Sequence, residues 1–319
     1  MQSVGFDRLA GFGEDDALAA FRAFRGVAEA APPLRAAQAP SPALVSAFRA
    51  ALAAEPADAE AARAFFVAHF EPRHVGRGLL TGYYEPWVEG ALAPSPEFSA
   101  PLLKRPADLA APYRTRAEIE AEMRDPLVWL KDAVEAYLIQ VQGSARVTLP
   151  DGRRRRLVYD GRNGRPYASI GRLLIEAGEI PEAEMSLARL KAWLRADPAR
   201  GRALMRRNES FVFFRFGEDD GEGPIGGAGR PLTPLRSLAV DRALWSYGLP
   251  FFPSGALPWR GEREEPFGRL MIAEDTGTAI VGPARADLFF GGGDEAGARA
   301  GAIRHEAEMF VLWPRGDGR

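Results

Sequence analysis

Apolar positions recur at helical spacing up to about residue 70 and in strand-like blocks beyond it. Leu18, Phe21 and Phe24 share one face of a helix opened by Asp15 or Asp16 and stopped at Pro32-Pro33. Ser41-Pro42, a cap followed by proline at the first helical position, opens a second helix with Leu44, Phe48 and Leu52 at i, i+4 and i+8. Asp58 opens a third that carries Phe65 and Phe66. Their polar faces are Ala, Arg and Glu without clustered chemistry, so the three helices read as scaffold. At Gly78 the pattern changes. Gly78 to Tyr84 reads as a strand running into Pro86, and Pro94 to Pro112 as an irregular, proline-dense crossing between domains.

Thr115 and Glu118 form a capping box over a short helix to about Arg124. Val134 to Gln142 alternates imperfectly and reads as the first strand of a meander, with a two-residue turn at Asp151-Gly152 between RVTL and RLVY. Ser169 caps a helix through Leu173, Leu174 and Ile175 that Gly178 ends; Pro181 starts another, with Met185, Leu187, Leu190 and Leu194 inward and Pro198 closing it. Ser210 to Phe216 reads as a buried strand. The glycine-rich stretch after Pro224 leads into a strand ending at Val240-Asp241, and Met309 to Pro314 forms the last strand.

Length and composition narrow the picture. A chain of 319 residues corresponds to about two domains, and 46% hydrophobic content supplies apolar mass for sizeable cores. Forty-one basic residues against 43 acidic ones give a net charge of −2, with no general attraction to nucleic acid. The run Arg153 to Arg156 alternates between the faces of a hairpin and reads as solvated. Without cysteine the chain forms no disulfide and no Cys-ligated metal site. His69, His74 and His305 have no HExxH or HxH spacing, so no metal or cofactor is expected. No run of 18 apolar residues occurs, and the N-terminus lacks a basic start followed by an apolar stretch. The expectation is a cytoplasmic chain or one whose signal segment has been removed. Gly226-Gly227-Ala228-Gly229 opens no helix, which argues against a phosphate loop.

Candidate chemistry gathers in EDTGTAIVGPARADLFFGGGDEAGARAG, residues 274–301. Asp275 ends one apolar run, Asp287 begins another, and Asp294 follows Gly291-Gly292-Gly293. Two acids at strand ends with glycine backbone between them can face one cleft; equally, Asp275 can be a turn residue and Asp287 a strand-end acid bonding an amide. Tyr83, Tyr84 and Trp87 surround Glu85, either as core aromatics or as a platform for sugar C–H faces. Gln140, Gln142, Ser144 and Arg146 recur at period two. On a strand they form one polar row, suited to an uncharged ligand or to solvent.

Together GYYEPW (82–87), YLIQVQGSARVTLPDG (137–152), YDGRNGRPYASIGRLLI (159–175), NESFVFFR (208–215), GPIGGAGRPLTPLRSLAVDR (224–242) and the acid-bearing 274–301 segment resemble the membrane-bound lytic murein transglycosylase A family. The resemblance implies a mainly β fold with α: a double-psi β-barrel domain from residues 1–85 and 205–319, including the N-terminal helices, and a smaller β-domain, 86–204, inserted into it with a glycan groove between the two. It implies Asp287 as the catalytic acid/base and Asp275 as its supporting carboxylate. Tyr83, Tyr84, Glu85, Gln140, Gln142, Ser144 and Asp241 are the expected substrate-binding residues. It further implies peptidoglycan strands as partner, a monomer, and a periplasmic location with outer-membrane association of a longer precursor.

The implied reaction cuts the β-1,4 bond between N-acetylmuramic acid and N-acetylglucosamine and leaves a 1,6-anhydromuramoyl end. Its leaving oxygen must be protonated, which asks for a carboxyl group kept neutral by its surroundings. The apolar Leu288-Phe289-Phe290 beside Asp287 favours that, a close ionised Asp275 would add to it, and Arg285 would oppose it if it pointed inward. Two other readings use the same residues. One is an inverting glycoside hydrolase in which Asp275 activates water. The other is a non-catalytic glycan-binding module that needs no paired acids.

Overall fold

A computed structural model describes residues 1–30, 38–219 and 221–317. The order begins with β1 (Gln2–Ser3), α1 (Ala17–Glu29), α2 (Pro42–Ala53) and α3 (Ala59–His69). Each of the three helices starts where a side-chain oxygen takes an orphan amide: Asp16 from Ala19 N, Ser41 from Leu44 N, Asp58 from Ala61 N. The expected stop at Pro32-Pro33 lies outside the described residues. Next come β2 (Phe70–Glu85), β3 (Trp87–Ala91), β4 (Ala100–Leu103), α4 (Arg116–Glu122) and β5 (Pro126–Leu130). Then α5 (Ala133–Gln142), β6 (Ser144–Thr148), β7 (Arg154–Arg162), α6 (Ile170–Glu176), α7 (Leu187–Ala196), α8 (Pro198–Arg206) and β8 (Val212–Gly217). The remainder is β9 (Ser237–Val240), β10 (Pro250–Leu257), β11 (Glu265–Gly268), β12 (Met271–Asp275), β13 (Ala286–Gly292), α9 (Gly293–Ala302) and β14 (Arg304–Pro314). The fold is mixed α/β with two sheets.

The chain divides into two compact units, residues 1–84, 225–291 and 299–319 in one, 85–224 and 292–298 in the other. In the first, eight strands follow the order β1-β2-β13-β9-β12-β10-β11, and β14 bonds both β10 and β2. The path β2-β13-β9-β12-β10-β14 therefore returns to its starting strand, and six strands close a ring without free edges. β9 and β12 run parallel, while β13 joins β9 antiparallel. The N-terminal helices share a cluster of Phe21, Phe24, Phe65, Phe66 and Phe70 rings. Just before α1, both oxygens of Asp15 bond the Arg236 guanidinium at 2.7 and 2.8 Å, and Asp15 Oδ2 also accepts from Leu270 N at 2.8 Å. Such a buried pair, fully hydrogen-bonded, fixes where the helices attach.

In the second unit, six strands follow the order β4-β5-β3-β6-β7-β8. Here the structure corrects the sequence reading. Val134–Gln142 lies in α5, opened by Asp132 accepting from Val134 N and ended by Gly143 at φ +86°. Ala136 and Ile139 pack against the sheet, while Val134, Tyr137 and Leu138 pack against α6, α7 and α8. A helix buried on two sides loses the one-sided apolar stripe that reveals helical period. Gln140, Gln142 and Ser144 consequently form no polar strand row.

The stretch expected to cross between domains lies inside this unit and contributes β4. The return expected at residue 205 comes at 225, because β8 bonds β7. Pro198 opens α8 at its first position instead of closing α7. The hairpin between β6 and β7 has a three-residue loop, Pro150-Asp151-Gly152, with Leu149 N bonding Arg153 O at 2.8 Å and Gly152 at φ +81°.

Candidate active site

The site grows from one rung of the closed ring. Asp287 near the start of β13 and Asp275 at the end of β12 both pair in register with Ala239 of β9. Paired residues of adjacent strands point to the same face, so β9 contributes only a methyl group between two carboxyl-bearing neighbours. On β2, Thr81 and Tyr83 stand two residues apart and meet the same acids. Thr81 Oγ1 donates to Asp287 Oδ1 at 2.5 Å, and the Tyr83 hydroxyl donates to Asp275 Oδ2 at 3.0 Å. Phe289, two residues after Asp287, packs its ring 5.2 Å from that of Tyr83.

Each acid has its own setting. Asp275 Oδ1 accepts from Gly227 N at 3.0 Å, so the glycine-rich segment serves as an amide donor to a carboxylate. Burial pushes the Asp275 carboxyl up to about 6, against the downward pull of the Thr276 and Gly227 amides and the Tyr83 hydroxyl; the Asp287 charge adds to the rise. Burial likewise raises the Asp287 carboxyl, opposed by the Arg285 guanidinium and the Thr81 hydroxyl. Both aspartates keep some accessible surface. The dense protein shell around them nonetheless removes most of the hydration a carboxylate needs. Arg285 Nη2 donates to Thr81 Oγ1 at 2.7 Å, which turns the threonine proton toward Asp287. A cation, a hydroxyl and the acid therefore stand in one line.

Two further carboxyl groups surround the pair. Glu274, 2% exposed, accepts from Ser237 Oγ, and Ser237 Oγ accepts from Thr233 N at 2.7 Å. Burial lifts Glu274 to about 8, so it is largely protonated at neutral pH. Asp241 directly follows β9 and spends both oxygens on backbone: Oδ1 accepts from Ala243 N at 2.9 Å and Oδ2 from Gly282 N at 2.8 Å. Thr276 Oγ1 bonds Val240 O, and Trp245 Nε1 bonds Pro283 O. Asp241 is thus a post for the loop joining the two acids; the sequence had offered it as a substrate ligand.

The remaining expected ligands sit otherwise. Tyr84 is buried. Glu85, 1% exposed, is gripped by Arg146 Nε at 3.0 Å and Arg156 Nε at 3.1 Å; burial raises its carboxyl against the pull of both arginines. It is an internal counter-ion in the second unit. Gln140 is buried in α5 and accepts from Val212 N at 3.5 Å; Gln142 closes the helix, and Ser144 opens β6 half-buried. Thr81, Gly227, Ala239 and Glu274 escaped the sequence reading. Only Thr81 left a signal, its period-two spacing from Tyr83.

A surface depression of about 450 Å³ in the first unit is lined by Arg77, Ser254, His305, Glu306 and Glu308, and includes none of the acids above. Its carboxylates all have side-chain partners, Glu306 the Arg77 guanidinium, Glu308 the His74 ring and Glu264 the His305 ring, so none stands free for chemistry. Among the described residues, no group of three or more His, Asp or Glu side chains is arranged to hold a metal ion. No described helix is long and apolar enough to cross a membrane.

Comparison with known proteins follows the same division of the chain. The MltA specific insert domain matches residues 79–215, and the 3D domain matches residues 236–313, the part that carries both acids. A crystal structure of a membrane-bound lytic murein transglycosylase from Agrobacterium tumefaciens superposes with a TM-score of 0.89 at 32% identity, over 98% of this chain and 97% of that one. This chain belongs to the membrane-bound lytic murein transglycosylase A family. Membrane-bound lytic murein transglycosylase A of Vibrio cholerae is 35% identical over 210 residues, 62% of this chain. That alignment spans 55% of the curated relative's length. A crystal structure of Escherichia coli MltA with bound chitohexaose superposes with a TM-score of 0.71 at 28% identity, over 85% of this chain and 82% of that one.

Proposed function

We propose that this member of the family is a lytic transglycosylase of peptidoglycan. It cleaves the β-1,4 bond between N-acetylmuramic acid and N-acetylglucosamine, and Asp287 acts first as acid and then as base. The observation that carries this reading is the Asp287 carboxyl, raised by burial yet hydrogen-bonded by Thr81 and faced by Arg285. Burial keeps a proton available for the leaving oxygen. The Arg285–Thr81 line then stabilises the carboxylate left behind. That carboxylate takes the proton of the muramoyl C6 hydroxyl, whose oxygen attacks C1 and closes the 1,6-anhydro ring. An intramolecular nucleophile needs no positioned water and acts at high effective concentration. The electron-poor C1 is stabilised by the Asp275 charge or by the substrate's own N-acetyl oxygen.

The inverting hydrolase is the other reading of two acids on one rung. Two strand spacings put their backbones roughly 10 Å apart, room enough for a water between carboxyl groups. The way Asp275 is held favours transglycosylation. Both its oxygens accept from protein donors, Gly227 N and the Tyr83 hydroxyl, which suits a fixed charge better than a base aimed at water. The wider reading includes a double-psi topology for the closed ring, glycan strands as partner of a monomeric chain, and work on the periplasmic side with outer-membrane association of a longer precursor. Support for the partner comes from the chitohexaose bound by the Escherichia coli relative.

Product analysis of digested sacculi tests the proposal. Transglycosylation leaves 1,6-anhydromuramoyl ends that resist borohydride and take no label from heavy-oxygen water. Reducible, labelled ends as the main product would make the protein a murein hydrolase. Absence of any cleavage, with glycan still bound, would make it a binding module.

A further inference from the structure

Trp87 is 54% exposed, while Tyr84, three residues earlier, is buried. An exposed indole is ordinary when it is loose; this one has a built seat. Gly292 and Gly293 lie against it. A Cβ on Gly292 would stand 2.5 Å from Nε1, and one on Gly293 would stand 3.1 Å from Cε3. Only glycine lets the backbone come so close, and Gly293 also adopts φ +84°. The guanidinium of Arg146 stands 5.6 Å from the indole centroid, within cation–π range. Arg146 is itself held, by Glu85 at 3.0 Å and Asp219 at 3.4 Å, so it cannot swing away from the ring.

Sheet register gives the setting. Trp87 pairs with Arg146, and Arg146 with Arg156, so the three share one face of β3, β6 and β7. Ser144, two residues before Arg146, and Glu89, two after Trp87, lie on that face as well. The opposite face carries Val88, Ala145, Val147 and Leu157 into the core. The surface is therefore one rigid aromatic plane rimmed mostly by polar groups; Val158, opposite Ser144 on the same face, is half-buried, which leaves Trp87 as the large exposed apolar side chain of these strands. A protein partner would ask for a broader apolar patch. A pyranose asks for one ring face for its C–H hydrogens and polar neighbours for its hydroxyls.

We propose that Trp87 is a pyranose-stacking platform of the second unit, taking an N-acetylglucosamine ring of a glycan strand against its exposed indole surface with Ser144 nearby on the same face. The electron-rich indole face attracts the slightly positive axial C–H groups of the sugar. The seat on Gly292–Gly293 removes the entropy that a loose side chain would lose on binding. The platform rests on the reading of the protein as glycan-acting and adds to it a recognition residue that makes no bond to the acids.

The test uses chitohexaose, an uncharged probe, and the full chain carrying Asp287→Asn so that no arm consumes ligand. Calorimetry compares that parent with Trp87→Ala, Trp87→Leu and Trp87→Phe added. The alanine and leucine variants are expected to bind about tenfold more weakly, and phenylalanine within about threefold of the parent, the ring rather than the bulk being what counts. Melting curves report folding; should the alanine variant fail to fold, the leucine and phenylalanine pair carries the comparison. Equal affinity of the alanine variant and the parent overturns the platform, as does equal affinity of leucine and phenylalanine. A parent that binds no chitohexaose overturns it too, whereas the transglycosylase reading stands or falls separately on the ends of the sacculus products.

Discussion

Asp275 and Asp287 stand two strands apart on one rung, each in register with Ala239. The acids are unlike in their surroundings. Asp275 is tied by Gly227 and Tyr83, Asp287 by Thr81 with Arg285 behind it. A pair whose environments differ divides the labour of acid and anchor.

Replacing Asp287 by Asn keeps shape and removes the transferable proton. Turnover on sacculi is expected to fall at least about a thousandfold, and Asp275→Asn to cost less. Because burial disfavours both carboxylates, the melting temperature at neutral pH should stay level or rise, as happens when a site's strain is relieved. Lysis assays and calorimetric melts on the same samples check both halves. Near-normal lysis by Asp287→Asn would remove it from the mechanism.

Thr81→Val deletes the hydroxyl that lowers the Asp287 carboxyl against burial. The folded-state acid then becomes weaker, so the alkaline limb of the kcat/KM profile, where the protonated form is lost, should move to higher pH. Thr81→Ser should leave it in place. Equal profiles for valine and serine would show that the hydroxyl tunes nothing.

Glu274, at about 8, and Asp275, at about 6, lie above their ordinary values because burial disfavours their charged forms. A carboxyl group raised in the folded state contributes stability that is full below its unfolded value. It is lost as pH climbs through the folded one. Stability should therefore decline between about pH 3.8 and 8, Asp275 acting from about 3.8 to 6 and Glu274 from about 4.5 to 8. Glu274→Gln should flatten the upper part, a difference on the order of a few kcal/mol. Urea midpoints across the range measure it, and parallel curves for variant and parent would refute the assignment.

Gln140 is buried between α5 and the strand carrying Val212. Gln140→Ala is expected to cost about 1–2 kcal/mol of stability through the lost partner and the space left behind. Chitohexaose affinity should not change. A variant that melts normally and binds weakly would return Gln140 to the ligand.

The parts legible in the sequence were those decided locally. Asp16, Ser41, Asp58, Thr115 and Ser169 each cap the helix that their spacing announced. Asp275 and Asp287 do sit at the ends of the two apolar runs, which form β12 and β13. What stayed hidden depends on distant chain. Glu85 meets Arg146 and Arg156, far along the sequence, and nothing in GYYEPW says that its carboxylate turns inward. The rung through Ala239 exists only because β9 lies between β13 and β12, an order no local pattern states. α5 escapes the pattern because its apolar residues lie on two sides of the helix, toward the sheet and toward α6, α7 and α8, and so show no single helical stripe.

The closed ring of β2-β13-β9-β12-β10-β14 has a consequence for synthesis on the ribosome. β2 is made early, yet its seam to β10 is β14, which emerges after the other five strands of the ring. The second unit, nearly all within residues 85–224, can complete its sheet while the later strands are still unmade. The acids follow, but the wall that desolvates them stays open until β14 docks between β10 and β2. The chain thus carries its own delay: its two carboxyl groups are made late and stay ordinary and hydrated until the ring shuts around them.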